Sequence, residues 1–192
     1  TANGYNVELL GSATSITNAT TFLNTGNVVL GNGAGDSLTF TGGLTATAPA
    51  AISAAGTVNT TNAAMSLGDS NTALTLTADL TLNTAGGALT LGGAVNGTTA
   101  NTESLSLNTG SAGAISVVGG VGQGTSLKTL TLTNSNGATF TGAVTTDTSV
   151  VLSNTVAGQT VRFANDLTTP TLTTTANGYN VELLGSATSI TN

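Results

Sequence analysis

The chain has 192 residues and a net charge of −6, and only 5% of it is charged, against the roughly 25% usual in soluble domains. Thr, Gly, Asn and Ser supply 104 residues, His, Cys and Trp are absent, and Lys128 and Arg162 are the only cations. Imidazole acid–base catalysis, thiolate chemistry and Cys/His metal sites are thereby excluded, as is nucleic-acid binding, since two cations displace almost no phosphate counterions.

Disorder pairs low hydrophobicity with high charge, whereas this chain is 39% hydrophobic with its apolar positions patterned. No apolar run reaches the roughly 18 residues that span a bilayer. No charged leader with an apolar segment opens the chain, so Thr1 fits a mature product or an excised piece. The lack of cysteine leaves the redox compartment open.

Residues 1–18, TANGYNVELLGSATSITN, recur unchanged as residues 175–192, an offset of 174. Eighteen consecutive identities mark residues 1–174 as one long repeat unit and 175–192 as the start of the next, a fragment of a longer tandem array. Next in chain order, the phrase Leu38-Thr39-Phe40-Thr41-Gly42-Gly43-Leu44 returns 100 residues later as Ala138-Thr139-Phe140-Thr141-Gly142-Ala143-Val144. From Leu74-Thr75-Leu76-Thr77 onward, apolar residues alternate with Thr, Ser or Asn, the period of a half-buried strand. Three related phrases start at Leu80, Leu105 and Leu130, each 25 residues after the last. Turn signals stand between them at Asn32-Gly33, Ala85-Gly86-Gly87, Asn96-Gly97, Gly119-Gly120 and Asn136-Gly137. No window carries a helical stripe, because β-branched residues and Gly interrupt each one.

These spacings predict an all-β chain folded as a right-handed parallel β-solenoid, or β-helix, with rungs of about 25 residues. An offset of 174 is close to seven such rungs and 100 is four, with slips such as the 26 residues from Ala88 to Ala114 absorbed in turns. Stacking also accounts for the missing charge: equivalent positions lie directly over one another, where like charges repel and Thr, Asn and Ser hydrogen-bond in ladders. A narrow interior suits Leu, Val and Ile better than rings. The alternative is a series of tandem immunoglobulin-like β-sandwiches of about 87 residues each, for which Asn3-Gly4 is a hairpin signal. A 25-residue register is too short for a sandwich, and Gly is too frequent for long antiparallel strands.

Candidate sites are few. Gly33-Ala34-Gly35-Asp36-Ser37-Leu38 is similar to a calcium-binding nonapeptide and is echoed by Leu67-Gly68-Asp69, which makes Asp36 and Asp69 the candidate metal ligands. Its Gly-to-Asp spacing is one residue short, and an Asx-capped turn accounts for the same residues. No other cofactor is expected. Thr-x-Thr pairs at Thr39/Thr41, Thr45/Thr47, Thr75/Thr77, Thr131/Thr133, Thr139/Thr141 and Thr171/Thr173 resemble ice-binding arrays, but their intervals follow no single rung length. A polysaccharide-degrading β-helix needs clustered acids, whereas Asp69/Asp79 and Asp147/Asp166 are widely spaced pairs, and Arg162, between Val161 and Phe163, belongs on the outside of a strand. Asn18, Asn59 and Asn96 head glycosylation sequons that the composition alone explains.

The phrases LTLNTAGGALTLGGAV, LSLNTG and TFTGAVTTDTSVVLSN resemble the repetitive strand arrays of giant bacterial surface proteins, the β-helices of filamentous haemagglutinin-type adhesins and autotransporter passengers. The resemblance covers the whole chain and is one of composition and period. It implies a non-enzymatic, extracellular role at the bacterial cell surface, as a structural repeat of a fibre, rod or sheath that self-associates or serves as an adhesin stalk. A carbohydrate-binding adhesin module is the alternative. The partners implied are identical copies, end to end and laterally, and cell-surface glycans or other cells. The terminal phrases offer no polar cap against edge pairing, so end-to-end association is expected.

Overall fold

The computed structural model describes residues 3–191; Thr1, Ala2 and Asn192, at the bounds of the two repeat copies, lie outside the described residues. Alternation of Leu, Val and Ile with Thr, Ser and Asn makes short strands with one apolar edge, and Gly, Asn and Asp bend the chain between them. Among the described residues all regular structure is strand, and all strand pairings are parallel. The strands stack as a β-solenoid of about 8 turns with rungs near 23 residues. The sandwich alternative fails on this point, because a sandwich is built from antiparallel hairpins.

Each coil passes three faces. On the first face the register runs Val7, Val28, Ile52, Leu74, Val95, Val121, Val144 and Leu167. On the second, Leu38, Val58, Leu82, Leu107, Leu132 and Leu152 lie over one another. On the third, Leu44, Met65, Leu89, Ile115, Ala138, Val161 and Val181 do the same. The first two faces share one 13-stranded sheet, and the third is an 8-stranded sheet. Apart from Val7 and Val181 in the end coils, which are partly buried, these inward columns are buried almost completely and form one continuous core. Burial of each Leu, Val or Ile side chain contributes about 1.5–3 kcal/mol before the entropy of ordering the chain is subtracted.

Rings fit this interior better than the narrow cross-section suggests. Phe40, Phe140 and Phe163 are fully buried, and Phe140 stacks on Phe163 with centroids 4.8 Å apart and planes at 6°. The coil spacing equals the spacing of stacked rings, so a Phe column suits the geometry.

The offset between residues in register varies from 19, Leu127 to Thr146, to 26, Leu89 to Ile115. The expected 25 holds for Leu80, Leu105 and Leu130 on the second face. The slip to 26 is taken up in the corner between the second and third faces, as the sequence indicates. Two longer offsets are corrected. Leu38 lies on the second face and Ala138 on the third, so 100 residues span four and one-third coils, not four. Likewise Val7 lies on the first face and its copy Val181 on the third, so 174 residues span seven and two-thirds coils.

Corners need residues without bulk where coils touch. Gly56 has φ of 77°, and a Cβ there would lie 2.3 Å from the Asp36 carbonyl oxygen. A Cβ on Gly119 would lie 2.2 Å from the backbone of Gly93 in the coil below. The turn expected at Asn96-Gly97 is instead the end of strand Val95–Gly97, and the chain turns after it.

Candidate functional site

The alternation that turns Leu and Val inward turns the residues between them outward, so each face displays a column of polar side chains about 4.8 Å apart along the axis. The third face carries Thr21, Thr45, Ser66, Thr90, Ser116 and Thr139, and then Arg162 and Glu182. The second carries Ser37, Thr57, Thr81, Ser106 and Thr131. The first carries Ser53, Thr75 and Asn96, with Thr145 and Thr168 further along. The Thr-x-Thr pairs are thus spread over the three faces, Thr75 on the first, Thr39 and Thr131 on the second, Thr45 and Thr139 on the third, and make no single threonine plane.

Arg162 projects outward between buried Val161 and Phe163, as its sequence position requires, and its Nε lies 3.1 Å from Glu182 Oε2 on the next coil. Both side chains are about half exposed, 50% and 45%, which holds the pair to about 0.2–1 kcal/mol. It is the ion pair present among the described residues.

The corner after the second face carries a ladder that the sequence contains as a recurrent Asn-Thr or Asn-Ser pair. Asn83 Nδ2 donates to Asn59 Oδ1 at 3.2 Å, Asn154 Nδ2 to Asn134 Oδ1 at 3.1 Å, and Asn177 Nδ2 to Asn154 Oδ1 at 2.8 Å. Asn108 lies in register between Asn83 and Asn134, and its Oδ1 accepts from Gly110 N at 3.0 Å. One residue later Thr60, Thr84, Thr109, Ser135 and Thr155 are all buried. The hydroxyl of Thr60 donates to Ala63 O at 2.5 Å, that of Thr84 to Gly87 O, and that of Thr109 to Gly113 O at 2.6 Å, while Ser135 and Thr155 bond each other at 3.0 Å. At Gly87 the Thr84 hydroxyl satisfies a carbonyl in a buried corner, whereas Gly113 O accepts from both the Thr109 hydroxyl and, at 2.7 Å, Asn136 N.

Asp36, Asp69, Asp79 and Asp166 accept backbone N–H groups, either within their own turn or from the next coil. Asp36 Oδ2 accepts from Asn32 N at 2.8 Å and Gly33 N at 3.0 Å, four and three residues before it, so the side chain closes the turn backward onto the preceding glycine-rich loop. Asp69 Oδ1 accepts from Asn71 N at 2.8 Å, and that backbone bond holds its carboxyl below the ordinary carboxylate range. The two candidate ligands occupy different corners, Asp36 between the first and second faces and Asp69 between the third and first, so the fold does not bring them together. Asp79 accepts from Ser104 N and Asp166 from Ala187 N, each at 2.8 Å. Asp79 and Asp147 lie at the corner between the first and second faces, and Asp69 and Asp166 at the corner between the third and first, so the members of each widely spaced pair occupy different corners. No group of three or more acids that could hold a metal ion occurs among the described residues.

One functional-looking residue escapes sequence reasoning. Glu103, which no sequence pattern singles out, is 3% exposed. Its carboxylate accepts from the Thr98 hydroxyl and, at 3.3 Å, from Thr99 N. It fills the interior place left by Gly97, where a Cβ would stand 2.5 Å from Glu103 Oε2.

No pocket opens among the described residues, and no helix there is long and apolar enough to cross a membrane. The candidate site is therefore the exterior itself, three neutral polar columns and the two ends of the stack. The chain matches no family model, no curated protein and no solved structure.

Proposed function

We propose that the chain is one repeat, with the opening of the next, of a tandemly repeated β-solenoid that forms an extracellular bacterial fibre, rod or sheath, or the stalk of an adhesin. The role is mechanical and not catalytic. Stacked backbone bonds and a continuous apolar core carry load along the axis, and neutral Thr/Ser/Asn columns face outward with little charge to oppose association. The observation that carries this reading is the fate of the second copy. Residues 177–191 add to the same stack as residues 3–174: Asn180–Leu183 pairs in parallel with residues 160–163 on the third face, and Ser189 and Ile190 with Thr168 and Thr169 on the first.

The two ends support association with identical copies. Tyr5, Leu10 and Leu23 are exposed at one end, and Leu183 and Leu184 at the other. An open parallel edge with apolar side chains beside it is a template for further pairing.

Cryo-electron microscopy of the native assembly, or of a chain with three long repeats, tests the proposal. Expected is a continuous rod with a rise of about 4.8 Å per coil, joined to or surrounding intact cells in the native sample. Separate beads along the rod, or a protein confined to the cell interior, would overturn it.

A further inference from the structure

The geometry points to a repeat that is out of step with its own coil by one-third of a turn, so that each repeat in the array joins the next rotated by 120° about the rod axis. This inference rests on the tandem-rod reading above and specifies its junction. Starting from Val7, the registers carry the chain through 23 faces to Val181, and three faces make a coil. Each repeat therefore restarts one face behind the last. The pattern returns to its first face after three repeats, 23 coils, or about 110 Å at 4.8 Å per coil.

The two copies show the two sides of that junction. Residues 3–18 show what lies beyond the segment within its own repeat: Val7 and Leu9 pair with Val28 and Leu30, and Asn6 Oδ1 accepts from Asn27 N at 2.8 Å. Residues 177–191 show what lies behind it in the preceding repeat. Tyr179 donates to Leu152 O at 2.9 Å, Asn177 to Asn154 Oδ1, Ala187 N to Asp166 Oδ1, and Glu182 receives Arg162. Arg162 projects from the third face, and the acid opposite it is the copy of Glu8. The ion pair thus spans two repeats, and Glu8 is predicted to meet the arginine equivalent to Arg162 in the repeat before it. Because the junction steps around the axis, successive pairs emerge on successive faces. A rod built this way offers the same chemistry on all three sides, and the partner that fits it laterally is a second identical rod approaching from any of them.

The chain has no cysteine, so engineered pairs report the phase without interference. Parallel neighbours on adjacent coils lie within the Cα separation of roughly 4.4–6.8 Å that a disulfide spans. In the 192-residue chain, Arg162→Cys with Glu182→Cys is expected to close under mild oxidation. Thr168→Cys with Glu182→Cys is expected to stay reduced, although a repeat of whole coils would put residue 182 on the first face beside Thr168. Closure of the second pair, or failure of the first, overturns the inference. In a three-repeat chain, images should show equivalent features turned by 120° from one repeat to the next. Repeats in line along a continuous rod would overturn the phase but keep the rod, whereas separate beads would overturn the rod and leave the disulfide result standing.

Discussion

Residues 7–9 and 181–183 are both Val-Glu-Leu and both form strands, yet the first lies on the first face against residues 28–30 and the second on the third face against residues 161–163. The following Ala-Thr-Ser-Ile differs more. At 13–16 it is a four-residue strand, whereas in the copy only Ser189 and Ile190 are strand. There Asp166 takes the Ala187 N–H, and the Thr188 hydroxyl accepts from Leu167 N at 3.3 Å. Tyr5 is 58% exposed, while Tyr179 lies half-buried over Leu152 and donates to its carbonyl. Local alternation decides that a strand forms, and the coil already in place decides which face it joins and what its polar groups bond.

The same contrast, covered on both sides or on one, orders the expected effects of substitution. The largest belongs to the middle of the stack. Phe140→Ala removes a fully buried ring and its stacking partner's neighbour, and a loss of about 3–5 kcal/mol is expected in denaturant unfolding. Phe22→Ala, in the outermost coil where the ring is half-buried and meets Phe40 edge-on at 6.4 Å, should cost clearly less. Equal losses would mean that coils at the end and in the middle are equally sealed.

Hydroxyls of the second corner come next. Thr84→Val keeps the shape and leaves the Gly87 carbonyl buried without its donor, so about 1–3 kcal/mol is expected. Thr175→Val removes an exposed hydroxyl that donates to Ser153 O at 2.5 Å, where water replaces the bond, and thermal unfolding should barely move. The ladder itself is tested by Asn154→Ala, which breaks bonds to both Asn134 and Asn177 in exposed or part-buried surroundings. A loss of about 0.5–1.5 kcal/mol, with faster amide exchange in the coils on either side, is the expected outcome.

Most of the architecture was legible because the period of two survives in each strand. The Leu-x-Leu phrases identify inward columns, and Arg162 between Val161 and Phe163 is outward as alternation demands. The coil length was legible only where one face repeats itself, from Leu80 to Leu105 to Leu130. Elsewhere similar phrases sit on different faces, since every face asks for the same short apolar–polar alternation. Leu38–Phe40 and Ala138–Phe140 are alike for that reason, and their spacing counts faces and not coils. The burial of Glu103 was illegible because it answers a gap at Gly97 that exists only once the coil closes.

The smallest expected effect separates the two copies most cleanly. Glu8 and Glu182 share sequence neighbours for several residues on either side, but Glu182 has Arg162 opposite it, while the residue in register with Glu8 is Val29. In the 192-residue chain, Glu182→Ala should cost about 0.2–1 kcal/mol at low salt, because a half-exposed pair gains little over solvation. That loss should fade as salt approaches 1 M, where the screening length falls to about 3 Å. Glu8→Ala should cost nothing at either salt concentration. Equal effects would show that local sequence, not the coil beneath, determines the environment of the carboxylate. In a chain of two full repeats the glutamate equivalent to Glu8 in the second repeat should behave like Glu182, which ties this difference to stacking and not to position along the chain.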